Sequence, residues 1–576
     1  MLDCVIRGGM VVDGTGAPAR RADVGIEGRR IVAVGEVTDD ATEVIDATGL
    51  VVAPGFVDPH THYDAQLFWD PAASPSNLHG VTSMIAGNCG FTLAPLEPDD
   101  ADYLRRMMAK VEGMPLPALE TGVPWTWRTF GDYLDALDGN VGLNVGFLVG
   151  HCAVRRNVMG ARSVGGEATE ADLALMVAVM HESLAAGGLG FSTTLSFTHS
   201  DGDGRPVASR WASKEEVLAL CASVSEHEGT TLEYVTDGCL RGFSDEEVVM
   251  MAEMSLAGRR PLNWNVLTVD SREPERYYAQ LAACDYAFAQ GGRAVALTMP
   301  ILVEMNMSFR NYCALFMLPG WDEVMNLPVP ERIEKLQDPE VRKWMNDRAR
   351  SPEAGVFSRL SSWGRYMIGD TFSAANEGLK GQVVSQIAEA ENRGTFDVLL
   401  DIVINDELKT VLWPLPSDSD LKSWQMRAEA WDHPHVLIGG SDAGAHLDRM
   451  CGAPYTTTFL ADCIRGRQLV SLERAVQLMT QAPAELFGLR NRGVLRERAY
   501  ADIVLFDPET VGTGDVKLVD DLPGGTSRLY ADAIGVHRVL VNGTTVVIDG
   551  KSTDARPGTV LRSGRDTYTV KIPADQ

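Results

Sequence analysis

Short apolar runs separated by Gly and Asp occupy both ends of the chain, and a different rhythm fills the middle. Residues 5–6, 9–12, 23–26, 31–34 and 44–45 are β-rich and broken by turn residues. Residues 501–507 and 536–548 repeat that pattern, and Asn542-Gly543 between two apolar runs is a strong hairpin signal. Two strand-rich ends around a long middle predict that both termini meet in one small β-sandwich, formed by 1–56 and 489–560. Across 57–488, runs such as VTSMIAG, VGLNVGFLVGH, GLGFSTT, TTLEYV and HVLIGGSDAG alternate with stretches of helical spacing, among them 170–186 and 214–228. Strand–helix alternation of this length predicts parallel βα units closed into an α/β (β/α)8 TIM barrel. An open doubly wound sheet is the competing arrangement. Polar residues end strand after strand, which favours the barrel. The rhythm breaks over 301–378, a stretch rich in Pro, Met and charge and too long for a βα loop. It is expected to be an inserted lid, or else a surface insertion. Residues 561–576 read as a peripheral tail.

Composition narrows the classes. The chain has 576 residues, is 45% hydrophobic and carries a formal charge of −28. That charge repels nucleic-acid backbones and anionic membranes, so neither is an expected partner. Nine Cys stand singly, without a CxxC pair, which fits a reducing compartment better than a disulfide framework. Without a signal-peptide pattern or an apolar run of about 18 residues, the expected location is cytoplasmic. A homo-oligomer is the expectation from base rates alone.

Four constellations carry candidate chemistry. In APGFVDPHTHYDAQ, His60 and His62 follow an apolar strand two residues apart, so both imidazoles face one side and can reach one metal ion. In HGVTSMIAGNCGF, Cys89 sits just past a strand end, where a thiolate could bind zinc; an inert half-buried thiol is the alternative. His79 precedes that strand and reads as structural. In LIGGSDAGAH, Asp442 ends a strand in a Gly-rich turn, placed to bind metal and to move a proton, or merely to cap a helix; His446 follows it as a substrate contact or a packing residue. In FLVGHCAVRRNVMG, His151 and Arg155 either hold substrate or serve as structural hydrogen-bonding groups.

Taken in order, VIRGGMVVDGTG, VVAPGFVDPHTHYD, HGVTSMIAGNCGFTLAP, VGHCAVRRNVMG, GGLGFSTTLSFTH, GGSDAGAH and GVLRERAYADIVLFDP resemble the amidohydrolase superfamily, and within it the D-aminoacylase branch. The resemblance spans almost the whole chain. It implies a metal-dependent barrel with a β-sandwich from both termini, hydrolysing a non-peptide C–N bond of a small N-acyl compound. It also implies that His60, His62, Cys89 and Asp442 hold one or two zinc ions, with Asp442 as the proton shuttle. Two departures qualify it. The family takes further His ligands from the fifth and sixth strands, yet no His lies between His227 and His433 and no Lys between Lys214 and Lys335. Glu233 or Tyr234, and Asn263, Trp264 or Asn265, stand there instead. Three readings follow: one ion on His60, His62 and Asp442; Glu233 replacing a His beside Cys89; or a metal-free barrel acting as a binding or assembly subunit. The second departure concerns the substrate. The sixth-strand segment lacks Lys and Arg, and Arg449 is the one cation in AGAHLDRMCGAPY. An N-acyl-D-amino acid and an amide or ester without a carboxylate are therefore both expected substrates, with Glu233, His151, Arg155 and His446 as candidate substrate contacts.

Overall fold

A computed structural model describes residues 1–576. The chain divides into two compact units, Met1–Ile301 with Asp420–Gln576, and Leu302–Ser419.

The first unit is built on parallel strands. One run pairs Phe56–Asp58, Val81–Ala86 and Asn144–Phe147 side by side. A second run orders Val149–Gly150, Gly190–Thr194, Thr231–Val235, Leu262–Trp264, Ala294–Thr298 and Val436–Ile438, again all parallel. The third strand of the first run and the first of the second are separated only by Leu148, so one stretch of chain serves both sheets. At the opposite edges, Thr61 and Ala443 form a parallel bridge, and His62 N donates to Ala443 O at 2.7 Å. Every residue of Val81–Ala86, Gly190–Thr194, Thr231–Val235 and Ala294–Thr298 is buried, as expected for a parallel sheet covered on both faces. Intervening helices begin where a hydroxyl caps the free N–H groups: Thr169 before Glu170–Ala185, Ser213 before Lys214–Val224, Ser244 before Asp245–Gly258. No helix is long and apolar enough to cross a membrane.

Both chain ends meet in one mixed sheet. Leu2–Val11 pairs with Arg20–Glu27 and with Val51–Pro54, which pairs antiparallel with Ile503–Phe506 from the far end. Ile6, Val24, Ile26, Val52, Ile503, Leu505 and Leu540 form its core. The expected hairpin is present: Asn542 and Gly543, at φ 49° and 82°, turn Val536–Val541 into Thr544–Ile548. Asn542 Nδ2 also donates to Asn144 Oδ1 at 2.8 Å, tying this sheet to a parallel strand.

Two expected boundaries change. The last residues are integrated rather than peripheral: Val560–Leu561 adds a strand beside Asn144–Phe147, Thr567 Oγ1 donates to Gly229 O at 2.6 Å, and Ile572 is buried. Their apolar positions are isolated among polar ones, so no periodicity betrays them. The insertion, expected over 301–378, extends to Ser419. Helices Val384–Glu391 and Thr395–Asn405 have the spacing of barrel helices but belong to this unit's own core. There Trp321 and Trp363 stack with centroids 5.5 Å apart and Phe396 lies 4.8 Å from Trp363, contacts too distant in sequence to leave a pattern.

His79 is structural, as its position implied. It is fully buried, with Nε2 facing Ala531 O at 3.0 Å and Nδ1 facing Thr457 Oγ1 at 2.7 Å. Burial pulls its pKa down to about 4. Stability held by the neutral ring is complete above the unfolded value of about 6.5 and is lost as pH falls toward 4. That loss amounts to about 3 kcal/mol. Denaturant melts from pH 7 to pH 4 should therefore show a smaller acid loss in His79→Gln than in the parent; equal losses would refute this role.

Candidate metal centre

The chain delivers its polar groups to one end of the parallel strands. Phe56–Asp58 ends just before His60 and His62. Thr61 between them donates its hydroxyl to Ile85 O at 2.9 Å, locking it to the next strand. Alternation then turns both imidazoles the other way, edge to face at 5.2 Å and 3% and 0% exposed. Cys89 follows Val81–Ala86 in a tight turn. Its N–H donates to Glu233 Oε2 at 3.0 Å, and its Sγ lies 3.5 Å from His60 Nε2. Asp442 follows Val436–Ile438 through Gly439 and Gly440. Its Oδ1 is 3.6 Å from His60 Nε2 and 3.1 Å from His62 Nε2, with the carboxylate 30% exposed. His446 Nε2 stands 3.7 Å from Asp442 Oδ2. Cys89, Asp442 and His446 all hold left-handed backbone, φ 56°, 57° and 50°. Such conformations cost energy in residues with a Cβ and concentrate where a side chain must be aimed.

Glu112 completes the cluster and was missed from sequence. Helix Ala101–Val111 ends beside it, and its carboxylate lies 3.6 Å from His62 Nε2. The available signal was a lone charge inside the apolar stretch VEGMPL.

These groups carry strained electrostatics. Burial raises the pKa of Glu112 well above the carboxylate range, reinforced by Asp442, Asp64 and Glu233. Glu233 is pushed up to about 8 by burial, against the pull of His60 and the Cys89 N–H. Burial also raises Cys89, with Glu233, Glu112 and Asp442 adding to the shift. Burial opposes ionisation of Asp442, yet His60 and His62 hold its pKa well below normal. Several buried atoms of these residues lack a hydrogen-bond partner: both ring nitrogens of His62, Nδ1 of His60 and Oε1 of Glu233. Orphaned buried nitrogens beside crowded carboxylates are what a cation site looks like without its cation.

The donor set fits a divalent ion. His60, His62 and Cys89 form one group, and His62, Glu112 and Asp442 another, each with ligand atoms within 4.8 Å of one another. Three of the separations, 3.5–3.6 Å, match those of two ligands on one tetrahedral zinc, about 3.3–3.7 Å, and the fourth, His62 to Asp442, is shorter at 3.1 Å. Imidazole, thiolate and carboxylate together suit zinc.

Other sequence candidates divide. Glu233 and Asn265 join the site, Asn265 Nδ2 lying 3.8 Å from Cys89 Sγ. Asn263 Nδ2 is spent on Leu232 O, and Trp264 turns away to donate to Cys284 Sγ. His151 and Arg155 are each held by protein groups. His151 is held by Thr193 Oγ1 and Glu216 Oε1. Arg155 binds Glu216 Oε1 and the carbonyls of Ser163, Ala208, Gly166 and Trp211. Their residue types suggested anion binding, and a buried carboxylate on helix Lys214–Val224 already pairs with both.

Residues 43–547 match the sequence model of the amidohydrolase family. The chain belongs to that family. Among its relatives, an N-acyl-D-aspartate deacylase of Alcaligenes xylosoxydans xylosoxydans is 30% identical over 571 residues, 98% of this chain and 95% of the relative. A D-aminoacylase of the same organism is 28% identical, covering 97% of each. The N-acyl-D-glutamate deacylase of Bordetella bronchiseptica, solved with zinc and a phosphonate mimic of the tetrahedral intermediate, superposes with a TM-score of 0.63 at 26% identity. That match covers 98% of this amidohydrolase and 100% of the solved chain.

Glu216 is the carboxylate partner of both His151 and Arg155, and it is itself 2% exposed. Glu216→Ala leaves Arg155 and His151 buried without it, which should cost about 3–5 kcal/mol. Urea denaturation measures this; a loss below about 1 kcal/mol would show that the pair is not what holds these residues.

Proposed function

We propose that this amidohydrolase is a metal-dependent deacylase that cleaves the amide bond of an N-acyl-D-amino acid. One observation carries the reading: His60, His62, Cys89 and Asp442 converge from three separate strand ends on one buried point. Full-length similarity to deacylases of N-acyl-D-amino acids supports the substrate class. The parallel bridge Thr61–Ala443, with the strand shared across Leu148, supports joining both runs into one closed (β/α)8 barrel, and the terminal sheet is read as the β-sandwich. The same reading makes the protein cytoplasmic, acting on a small molecule, and a homo-oligomer.

His60, His62 and Asp442, with Cys89, would hold the zinc. A bound divalent ion supplies Lewis-acid polarisation of the amide carbonyl and a more acidic water. The chain's own groups divide the remaining work. Asp442 is the proton carrier: its carboxylate is the part-exposed member of the cluster, able to take a proton from the attacking water at one oxygen and pass it to the leaving nitrogen. Its left-handed backbone aims the carboxylate between the two imidazoles. Glu233 braces the Cys89 turn through Oε2 and leaves Oε1 buried and unpartnered, which favours a supporting contact in place of the missing fifth-strand His. His446, 28% exposed beside Asp442, is the contact for substrate or for the departing amine. Arg449, three residues on, is the cation for the substrate carboxylate.

The test is hydrolysis of N-acetyl-D-aspartate, -glutamate, -leucine and -methionine and their L counterparts by zinc-loaded protein. Free D-amino acid should appear, a chelator should abolish it, and Asp442→Asn should lower kcat by at least about 100-fold with an unchanged melting profile. Zinc-loaded protein inactive on every D substrate, or full activity in Asp442→Asn, would overturn the proposal.

A further inference from the structure

Resting on that metal-centre reading, we infer that Glu112 is itself a metal ligand, supplied by the segment after helix Ala101–Val111 rather than by a strand end. Its carboxylate lies 3.6 Å from His62 Nε2, against 3.1 Å between His62 Nε2 and Asp442 Oδ1, and the ligand atoms of all three lie within 4.8 Å of one another. His62 is fully buried, and its Nε2 stands 3.1 Å from Asp442 Oδ1 and 3.6 Å from the Glu112 carboxylate, so three potential ligand atoms crowd one point.

Local structure explains how a loop residue arrives there. Glu112 ends its helix with its N–H on Met108 O, and its own carbonyl accepts from His446 N at 2.5 Å. Gly113 follows at φ 58°, where a Cβ would come within 2.5 Å of the Arg449 guanidinium and 3.2 Å of His446. A glycine is required for that approach, and it draws the helix end against the loop that carries Asp442. The side chain that results is 4% exposed. The carboxylates Asp442, Asp64 and Glu233 act against its charge, and the His62 imidazole faces it at 3.6 Å. A buried carboxylate among carboxylates is sustained by a cation or by carrying a proton. The two cases separate cleanly, because Gln mimics the protonated acid but is a far poorer ligand.

The amidohydrolase thereby replaces an imidazole that the fifth and sixth strands do not supply with an oxygen donor from elsewhere in the chain. Such a centre has two carboxylates for two imidazoles and one thiolate, and it neutralises a divalent ion more completely than a histidine-rich one.

Metal content and zinc affinity test this directly, by elemental analysis and by competition with a chromophoric chelator, on the full-length protein and Glu112→Gln. The variant should lose an ion per chain or bind zinc more than about 100-fold more weakly, beyond what losing a supporting hydrogen-bond partner does. Its cobalt form should also show an altered visible spectrum. Metal-free parent and variant should melt together, which separates ligand loss from misfolding. Should Glu112→Gln fail to fold, Glu112→Asp, shorter by one methylene, gives the same readout. A change below 100-fold with all ions retained, or an unaltered cobalt spectrum, overturns the role of Glu112 and leaves the metal centre standing. Parent protein that takes up no metal overturns both.

Discussion

A parallel sheet covered on both faces has no side that tolerates polar groups, and that constraint organises this molecule. Its central strands are apolar or small at almost every position and buried throughout. Charged groups are therefore displaced to the strand ends and to the segments that follow. There His60, His62, Cys89 and Asp442 come together, Asp442 facing both imidazoles and the Cys89 turn held by Glu233 from within a strand. The core and the site are two consequences of one arrangement: what makes the interior uniform concentrates polar chemistry at one rim.

Around that rim, local devices fix each group. Thr61 pins the HTH segment to the neighbouring strand, so the two imidazoles cannot rotate out of register. The Cys89 turn is held by a carboxylate from a strand several units away. Gly439 and Gly440 let the chain turn sharply enough for Asp442 to point back between the imidazoles. None of these is a large interaction, but together they position side chains whose mutual repulsion would otherwise drive them apart.

Much of this was legible in the sequence, for specific reasons. Period-two placement of His60 and His62 after an apolar run encodes a shared face, and Asn542-Gly543 encodes a hairpin; both are local rules. Cys89 and Asp442 were legible because each interrupts an apolar strand with turn residues. Glu112 was not, because what recruits it is the non-local approach of Gly113 to His446. His151 and Arg155, left open between substrate contact and structural hydrogen bonding, show the reverse problem. Their residue types invite a functional reading, while Glu216, which absorbs them, sits more than sixty residues away. The end of the inserted unit was misjudged for a related reason: helices with ordinary amphipathic spacing do not announce which core they pack on.

The sheet shared by the two chain ends has a consequence for biosynthesis. Val51–Pro54 emerges from the ribosome early, but its partner Ile503–Phe506 is translated roughly 450 residues later. At about 5–20 residues per second, that strand waits for tens of seconds with an open, apolar edge. The growing polypeptide must be sheltered from self-association throughout that interval, so its yield in a cell depends on chaperone supply and translation speed as well as on final stability.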